Sequence, residues 1–577
     1  MPAFNRLMSS GIVQLCAMVI IGFLLTPSRC WEHEKQVDEF VDSVMKCGDI
    51  PGLSLAVVRD GRVLLTKGYG FADVENREAA TKNTKFLIAS LTKAFTSTLL
   101  AELLHKTRYT WSTPIREILG ESFYIGNRYI SDNINLIDIL SHRTGFPTSN
   151  MLWMAEKFTT EQLVQQLRYM KPNKPFRSNF SYNNVMFILA GHIASVLGGD
   201  TYERLLFKHV IRRLNMTDTA NVAESAPNKN FSRSYKFDRS DGSRQTRPWR
   251  SHRNQAESGP AASLCSTAED MAKWLMFHLE NMRGGGEWAQ NNQLYKDLYK
   301  SHNVIEEDWN IFRSDSMPVS AVYNYGLGWF SGAQDGYRSA YHYGWLLDFY
   351  SRLLLFPTKN FAIFVSINGN GKGQRNRHLF NIHCFISDLL LGETPWLNST
   401  NVCSPKTTSG RTRATSETDS KISLQPVFYS IPNYDELEGN YGNALYANLT
   451  ILYEWRARQL RLKYGNYVDL ILAETTVKDR FSIAPVEPIS MLLCVYDDYL
   501  VFGRDKSAKI DSLEIPCFDD GVEIKFYKNF VLTDTHPGDE VILDQQPRIC
   551  QVSSESHRFE TRNYFTIMLF VVYRFLI

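Results

Sequence analysis

The chain has 577 residues, of which 44% are hydrophobic and 13% aromatic, and its formal net charge at pH 7 is +2. This length is more than one hydrophobic core serves, so we expect two or more domains. The apolar content excludes a chain that is disordered throughout. The near-zero net charge excludes a general electrostatic attraction to nucleic acid or to acidic membranes.

Residues 1–30 have the pattern of a secretory signal peptide. Arg6 gives a positive start, Ile12–Leu25 is mostly apolar, and Ser28-Arg29-Cys30 supplies small residues before a cleavage point that leaves Trp31 first. The apolar run is shorter than the roughly 20 residues that a membrane span needs. We therefore expect a secreted, extracellular protein, and an uncleaved anchor stays open as the alternative.

The chain has nine cysteines, and seven are left when Cys16 and Cys30 are removed with the signal peptide. These seven are widely scattered, without Cys-x-x-Cys or metal-ligand spacing. An oxidising compartment permits disulfides, whereas an odd number leaves at least one cysteine without a partner in the chain. The connectivity stays open.

Several Asn-x-Ser/Thr sequons accompany the signal peptide. Asn179 is the weakest candidate because it adjoins a candidate active-site motif. We expect N-linked glycosylation among the others, which are Asn215, Asn230, Asn398 and Asn448.

The first elements of the mature chain are a helix and a hairpin. Glu34–Lys46 has the spacing of an amphipathic helix. Gly52–Val58 and Val63–Gly70 are strand-like, and Arg59-Asp60-Gly61-Arg62 between them is typical of a hairpin turn.

Ser90-Leu91-Thr92-Lys93 is the first motif with chemical content. Apolar residues follow at helical spacing, which predicts a buried helix with Ser90 in its first turn and Lys93 on the same face. A serine hydroxyl needs a neighbour that takes its proton, and a desolvated lysine near a helix N-terminus can do so. The alternative is a capping serine and a solvated lysine, since a chain of this length has roughly two such spacings by chance.

The region from Ile115 to Leu214 is rich in helical patterns. We interpret His142, beside a Gly and a Pro that stop a helix, as a structural residue at the helix C-terminus rather than a catalytic base. Further on, Tyr182 and Asn184 precede an apolar helix. In an extended loop both side chains point the same way, where a phenol shares proton transfer and an amide holds a substrate carbonyl. A polar N-cap cluster is the alternative.

The next segment, Arg233–Arg253, is basic, and we favour a solvated surface loop over a contact for an anionic substrate. A helix follows, capped by Ser266 or Thr267. Beyond it the apolar runs are typical of strands in an antiparallel sheet: Tyr323–Trp329, Tyr341–Trp345, Leu353–Phe356 and Phe361–Ile367.

His342 and Gly344 lie two apart on one of these strands, so both address the same face. A glycine there lets a substrate carbonyl approach the backbone closely. The peptide N–H groups of Ser90 and Trp345 can then form an oxyanion hole.

The last part of the chain differs in composition. Residues 399–424 are rich in Ser and Thr and predict a linker, and 425–530 has short alternating segments that predict a small all-β barrel. Residues 531–577 are a tail of unclear structure. Its apolar run, Tyr564–Leu576, is only about 13 residues and contains Arg574, so it predicts no stable membrane span.

Three motifs in this order, Ser90-x-x-Lys93, Tyr182-x-Asn184 and His342-x-Gly344, resemble the serine β-lactamase and D-Ala-D-Ala carboxypeptidase superfamily, in its class C-like branch. The resemblance covers about residues 37–395. It implies an α+β fold for residues 31–398, with an antiparallel sheet flanked by helices and an all-helical subdomain. Further similar segments are Pro51–Val57, Gly68–Asp73, Leu140–Gly145, Leu214–Thr219 and Tyr325–Trp329.

The resemblance implies a role for each motif residue. Ser90 is the acylated nucleophile, and Lys93 and Tyr182 share the general base and acid roles. Asn184 orients the substrate. His342 stands where other branches have lysine, and Gly344 shapes the wall beside the oxyanion hole. No metal and no cofactor are implied, because acyl transfer proceeds through an acyl-enzyme that water resolves.

Bulky Tyr343 and Trp345 surround the third motif and disfavour a β-lactam substrate. We therefore expect a secreted serine hydrolase whose substrate is a small ester, amide or peptide. The alternative is a catalytically silent protein on the same scaffold, which is motivated by the crowded third motif, the odd number of cysteines, the sequons and the extra β domain. The chain also resembles the gigasin-like proteins of mollusc shell organic matrix. That alternative implies extracellular matrix partners.

Overall fold

A computed structural model describes residues 31–225, 230–237, 242–247, 259–305, 311–314, 317–369, 371, 377–403, 434–486, 499–519 and 522–530. The predicted signal peptide, most of the predicted linker and the tail lie outside these residues. The chain divides into two compact units. The first comprises Met1–Lys106, Glu203–Arg253 and Ala262–Thr415, and the second Thr107–Tyr202, Asn254–Ala261 and Ser416–Ile577.

The helices of the described residues, in chain order, are α1 (Glu34–Gly48), α2 (Thr92–Leu104), α3 (Ile115–Leu119), α4 (Arg128–Asn133), α5 (Leu136–Leu140), α6 (Met151–Met154), α7 (Thr160–Gln166), α8 (Asn184–Gly198), α9 (Tyr202–Leu206), α10 (Val222–Ser225), α11 (Gly259–Ala262), α12 (Ala268–Met282), α13 (Glu287–Asn291), α14 (Leu294–Asp297), α15 (Arg377–Leu391) and α16 (Tyr434–Leu437). Single turns of 3₁₀-helix occur at Ala89–Leu91 and Leu167–Tyr169, and Phe207–Ile211 is π-helical.

The strands of the first unit are β1 (Gly52–Arg59), β2 (Arg62–Asp73), β3 (Glu78–Ala79), β4 (Phe86–Leu87), β5 (Ala220–Asn221), β6 (Tyr235–Phe237), β7 (Arg244–Thr246), β8 (Leu264–Ser266), β9 (Asn303–Val304), β10 (Ile311–Ser314), β11 (Met317–Tyr325), β12 (Phe330–Gln334), β13 (Tyr337–Leu346), β14 (Phe349–Phe356) and β15 (Phe361–Ile367). Those of the second are β16 (Gly439–Asn443), β17 (Ala447–Glu454), β18 (Gln459–Tyr464), β19 (Val468–Glu474), β20 (Arg480–Pro485), β21 (Tyr499–Arg504), β22 (Ile510–Asp519) and β23 (Val522–Lys528).

The first unit is built on an antiparallel sheet with strand order β10-β11-β12-β13-β14-β15-β1-β2-β3. Its central strands β14 and β15 are buried along their whole length. Helix α12 contacts β1 and β15, and α15 contacts β14 and β15. Helix α1 packs on α15, where the Phe40 and Phe385 rings stack at 3.9 Å. Covered strands need no polar face, which explains their continuous apolar sequences. The α+β prediction is confirmed.

The β1–β2 hairpin forms where the sequence predicts it. Asp60 and Gly61 both have positive φ, at 50° and 71°. Two such residues are the requirement of a type I′ turn, whose twist matches that of the flanking strands. Arg59 pairs with Arg62 across the turn, so the local sequence fixes the register of these two strands.

The basic segment after Arg233 is wrongly predicted as a solvated loop in its described part. Strands β6 and β7 pair with each other. Arg247 is 4% exposed and pairs with Asp348, and Arg233 pairs with Asp73. The buried carboxylates, which come from distant parts of the sequence, turn these arginines inward.

The second unit contains α3 to α8. Helix α8 is largely apolar and is capped at its start by the Asn183 side chain and at its end by Gly199 in the left-handed conformation. Within the described residues, no single helix has the length and apolarity to cross a bilayer. Asn184–Gly198 and Tyr202–Ile211 meet those criteria only together, as a pair bent by 74°.

The second unit also contains a closed barrel, in which β16 to β23 follow one another around the ring. Buried and less buried residues alternate along its strands, as in Gln459–Tyr464 and Val468–Glu474. Alternation of this kind fills the interior of a barrel from every second residue. The prediction of a small all-β barrel is confirmed.

One disulfide lies in the first unit and joins Cys47 in α1 to Cys403, with the Cα atoms 5.7 Å apart. Cys265 and Cys384 are buried and take no part in this disulfide. The sequence leaves this pairing open because the two cysteines are 356 residues apart.

Candidate active site

Ser90 lies in a turn that precedes helix α2. Ala89–Leu91 is one turn of 3₁₀-helix, and the α-helix begins at Thr92, so Ser90 is just before the helix rather than in its first turn. Ala89 is buried with φ 47°, a conformation that costs an L-residue about 1–2 kcal/mol. Thr92 holds this turn, because its Oγ1 donates to the Ala89 carbonyl at 2.6 Å and accepts from the Leu264 N–H at 3.2 Å.

Lys93 is the polar neighbour of the Ser90 hydroxyl. Its Nζ donates to Ser90 Oγ at 3.1 Å, and the residue is 0% exposed. Burial removes water from the ammonium group and lowers the pKa of Lys93 well below the usual value of a lysine. In its neutral form, which burial favours, the amine has a lone pair able to accept the serine proton.

Packing around α2 excludes water from Lys93. All residues of α2 are buried, and Phe95 stacks on Trp274 of α12 at 3.6 Å. On another side, a Cβ on Gly328 would lie 3.1 Å from the Lys93 carbonyl. Gly328 has φ 87°, and β11 therefore ends at Tyr325, before the predicted end of that strand at Trp329.

Strand β13 carries the third motif and passes directly beside the nucleophile turn. A Cβ on Gly344 would lie 2.2 Å from the Ile88 carbonyl oxygen and 3.1 Å from the Ser90 nitrogen. Ser351, which pairs with Gly344, donates from Oγ to the same Ile88 carbonyl at 2.7 Å. Only a glycine permits this approach, and it brings Trp345, the next residue, to the edge of the nucleophile turn.

His342 is buried next to this wall and has a defined tautomer. Its Nδ1 lies 2.7 Å from the Tyr343 carbonyl oxygen, which can only accept, so Nδ1 carries the hydrogen. Its Nε2 then accepts from the Tyr325 hydroxyl at 2.8 Å. Burial, together with the charge of nearby Lys93, lowers the pKa of His342 to about 3. The ring is therefore neutral near pH 7, unlike the lysine of related branches.

The second motif lies in the second unit and has its own supports. Asn183 is the N-cap of α8, with its side chain accepting from the Met186 N–H at 3.2 Å. Asn184 is the first helical residue, so the extended loop predicted through Asn184 ends one residue earlier. The polar N-cap alternative holds for Asn183, and Tyr182 and Asn184 lie on either side of that cap.

His142 organises the backbone of this motif. Its Nδ1 accepts from the Asn183 N–H at 3.0 Å, and its carbonyl accepts from the Ser181 N–H at 2.8 Å. Its ring centroid lies 4.3 Å from that of Tyr182. His142 is structural, as the sequence favours, although these contacts hold the 181–183 segment rather than the helix end.

A buried carboxylate that sequence reasoning missed supports the same region. Asp138 is 0% exposed, accepts from Arg143 Nε at 2.7 Å and from Arg177 Nη2 at 2.8 Å, and closes a capping box with Asn135. The Asn-x-x-Asp spacing before an apolar run is a readable signal for the cap. The two arginine partners follow only from the tertiary structure.

The structure thus brings Ser90, Lys93, His342 and Gly344, with Trp345 beside them, together in the first unit, and it places Tyr182 and Asn184 in the second. Ser351 is a supporting residue without a sequence signal, and Tyr325, which holds His342, lies in one of the segments that the resemblance already covers. In the described part of the chain, no group of His, Cys, Asp and Glu side chains has the arrangement of a metal site. The four asparagines predicted to carry glycan are exposed: Asn215, Asn230, Asn398 and Asn448.

Curated relatives share part of this chain. Unguisins hydrolase ungD' of Aspergillus campestris is 28% identical over 340 residues, which are 57% of this chain and 60% of that protein. Protein flp of Staphylococcus aureus is 24% identical over 352 residues, 59% of this chain and 64% of that protein. The chain therefore spans less than two thirds of the length of these relatives.

The fold is also similar to that of a solved structure, the octameric penicillin-binding protein homologue from Pyrococcus abyssi. The TM-score is 0.53 at 18% sequence identity, and the similarity covers 86% of this chain and 99% of that one. At this identity the similarity concerns the fold alone. A family model described as Beta-lactamase matches residues 37–383. This match covers more than half of the sequence and contains all three motifs, and the chain belongs to the beta-lactamase family.

Proposed function

We propose that this protein is a secreted serine hydrolase that cleaves a small ester, amide or peptide through an acyl-enzyme on Ser90. The observation that carries the proposal is the Lys93 amine, fully buried and 3.1 Å from the Ser90 hydroxyl. A nucleophile in contact with a base whose pKa is lowered by burial is suited to covalent acyl transfer.

In the first step Ser90 Oγ attacks the substrate carbonyl carbon while its proton passes to Lys93 Nζ. The tetrahedral intermediate then collapses, the bond to the leaving group breaks, and the leaving group takes up the proton held by Lys93 Nζ, which becomes a neutral amine again. The acyl-enzyme ester is left. Water attacks that ester and loses a proton to the general base, which passes it to the departing Ser90 Oγ, so that the acid and the free Ser90 hydroxyl are released.

The peptide N–H groups of Ser90 and Trp345 are the proposed oxyanion hole, because β13 runs against the nucleophile turn at Gly344. By their place in the family pattern, Tyr182 shares proton transfer with Lys93, and Asn184 holds an amide of the substrate. His342 acts through its neutral ring and supplies no cation for a substrate carboxylate.

The residues of β13 beside the nucleophile turn indicate the substrate class. Trp345 and Tyr343 are bulky and part-exposed, and the neutral His342 disfavours an anionic group nearby. A small, uncharged acyl group suits such a site. The relative named unguisins hydrolase carries a hydrolytic activity in its name, which supports hydrolysis as the reaction class.

Secretion is part of the proposal. The Cys47–Cys403 disulfide suits an oxidising compartment. The exposed positions of the four candidate asparagines also suit glycosylation outside the cytosol. Intact mass of protein secreted from a eukaryotic host, with and without glycosidase, tests both points.

The decisive experiment for activity is the intact mass of the purified protein after incubation with a fluorophosphonate. Wild type is expected to gain one adduct, Ser90→Ala none, and Ser507→Ala, which changes an exposed serine in the barrel, one adduct again. No adduct on folded wild type, or an equal adduct on Ser90→Ala, would overturn the proposal and favour a catalytically silent matrix protein.

A further inference from the structure

The barrel makes close contacts with the helical part of its own unit, along residues 149–157. Asp519, at the end of β22, is 3% exposed. Its Oδ1 accepts from the Asn150 N–H at 2.7 Å, and its Oδ2 accepts from the Met151 N–H at 3.1 Å. The Tyr446 hydroxyl donates to the same Oδ2 at 3.0 Å. One barrel carboxylate therefore satisfies two consecutive backbone donors.

These two donors need an outside acceptor. They lie at the start of the short helix α6, where the first N–H groups of a helix have no partner within it. Ser149, the residue before them, has φ 47°, a conformation that is unfavourable for serine. The later N–H groups of the segment bond within it, as Leu152 does to the Ser149 carbonyl and Met154 to the Asn150 carbonyl, and Asp519 accepts from the two donors at its start.

A second turn of the barrel contacts the other end of residues 149–157. The Asn466 N–H donates to the Ala155 carbonyl at 2.8 Å. A Cβ on Gly465, which has φ 59°, would lie 2.2 Å from that carbonyl oxygen. Lys157 lies over the Tyr464 ring at 5.5 Å from its centroid. Contacts at both ends fix the position of the segment between them.

The segment in turn fixes Asn184. Asn150 Oδ1 accepts from Asn184 Nδ2 at 3.1 Å and from Trp153 Nε1 at 3.0 Å. The acceptor on Asn150 thus determines which way the Asn184 amide faces, with its nitrogen toward Asn150. A chain of hydrogen bonds runs from Asp519 through Asn150 to Asn184.

We propose that Asp519 is a positioning residue for substrate recognition, and that the barrel orients the Asn184 amide through Asn150. This inference rests on the proposed function, in which Asn184 holds an amide of the substrate. The barrel is then part of the enzyme's specificity apparatus, and the favoured substrate has an amide group near the scissile carbonyl.

The test compares two activated esters that differ in this amide, p-nitrophenyl acetate and the p-nitrophenyl ester of N-acetyl-alanine. Asp519→Asn keeps the side-chain volume but replaces one acceptor oxygen by a donor that opposes an N–H group. We expect kcat/KM for the amide-bearing ester to fall about tenfold, as for the loss of one hydrogen bond, and kcat/KM for the acetate to stay unchanged. A merely structural role would lower both.

A double-mutant cycle assigns the effect to Asn184. In an Asn184→Ala background, Asp519→Asn is expected to cause no further loss on the amide-bearing ester. Asn150→Ala, which breaks the chain without touching the barrel, should reproduce the selective loss even where Asp519→Asn fails to fold. Asp511→Asn, at an exposed carboxylate on the same strand, is the matched control and should change neither ester.

Hydrogen exchange separates failure of this inference from failure of the proposed function. The amides of Asn150 and Met151 should exchange at least about tenfold faster in Asp519→Asn than in wild type or Asp511→Asn. Unchanged exchange, or equal losses on both esters, would overturn the inference. A wild type that hydrolyses neither ester and takes no fluorophosphonate would overturn the proposed function, and the exchange result would still decide the link to Asp519.

Discussion

Lys93 is fully buried and in direct contact with the Ser90 hydroxyl. Its burial has opposite effects on catalysis and on the stability of the fold. Burial makes the ammonium form costly, so folding favours the amine and lowers the pKa of Lys93. That lowering provides the base for Ser90 and at the same time reduces the stability of the fold at neutral pH. Function and stability therefore oppose each other at this residue.

Replacement of Lys93 by Met should abolish the base while keeping a side chain of similar length. We expect the rate of Ser90 acylation by a fluorophosphonate to fall about 10²–10⁴-fold, the usual contribution of a general base. Lys106→Met, just beyond the end of α2 and exposed, should leave the rate unchanged. An undiminished rate in Lys93→Met would show that another group takes the serine proton.

The same variant should be more stable than wild type at pH 7. An unfolded lysine binds a proton below pH 10.5, whereas the folded amine does not until a much lower pH, so wild-type stability rises with pH across that window. Each unit of pKa difference is worth about 1.4 kcal/mol. Urea unfolding at pH 7 and pH 10 should show the advantage of Lys93→Met shrinking at the higher pH.

At the scale of elements, the active-site wall depends on how closely β13 approaches the turn before α2. Side-chain hydrogen bonds from Thr92 and Ser351 fix this turn on two sides. Gly344 packs against it on a third side. At Gly344 the backbone of β13 packs directly against the backbone of the turn before α2. A methyl group added at this position would meet a backbone atom, which cannot move aside as a side chain can.

Gly344→Ala should therefore damage both stability and catalysis. The new Cβ would need about 1 Å of displacement from the Ile88 carbonyl, at a cost of about 1–3 kcal/mol. A shift of this size at Ser90 is expected to lower kcat/KM about 100-fold. Gly285→Ala, where a Cβ meets no atom closer than 3.9 Å, is the matched control. Wild-type kinetics in Gly344→Ala would contradict the packing argument.

At the scale of the molecule, several histidines are buried as neutral rings in the first unit. Burial lowers the pKa of His278 well below its usual value and those of His342 and His383 to about 3. The unfolded chain binds protons at these sites below pH 6.5 and the folded chain does not. Stability is consequently lost as the pH falls from 6.5 toward 3.

Between pH 7 and pH 5 each such histidine should cost about 2 kcal/mol of unfolding free energy. His383→Gln, in α15 and remote from the nucleophile turn in sequence, should reduce the loss by that amount in urea titrations at the two pH values. Leu379→Met on the same helix should lower stability without changing its pH dependence. A pH dependence that is identical in His383→Gln and wild type would show that this ring has the same pKa in the folded protein as in the unfolded chain.

Much of this protein was readable from local patterns. The Asp60-Gly61 turn, the Thr267 cap of α12 and the alternation in the barrel strands are interactions among residues a few positions apart, and a linear pattern contains them. The spacing of Ser90 and Lys93 likewise follows from the helix repeat. Boundaries such as the start of α8 at Asn184 were missed by one residue, because Asn183 and Asn184 are chemically equivalent as caps.

Tertiary structure alone decided the properties on which the chemistry depends. Helix α2, in which Lys93 is buried, packs on α12 through Phe95 and Trp274 and passes Gly328 at the Lys93 carbonyl, and the close approach of Gly344 to Ser90 joins residues some 250 positions apart. Asp519 reaches Asn150 across 369 positions. The pKa of Lys93, the approach of Gly344 to the nucleophile turn and the orientation of the Asn184 amide depend on which distant atoms exclude water or supply a partner. A short stretch of sequence does not contain that information.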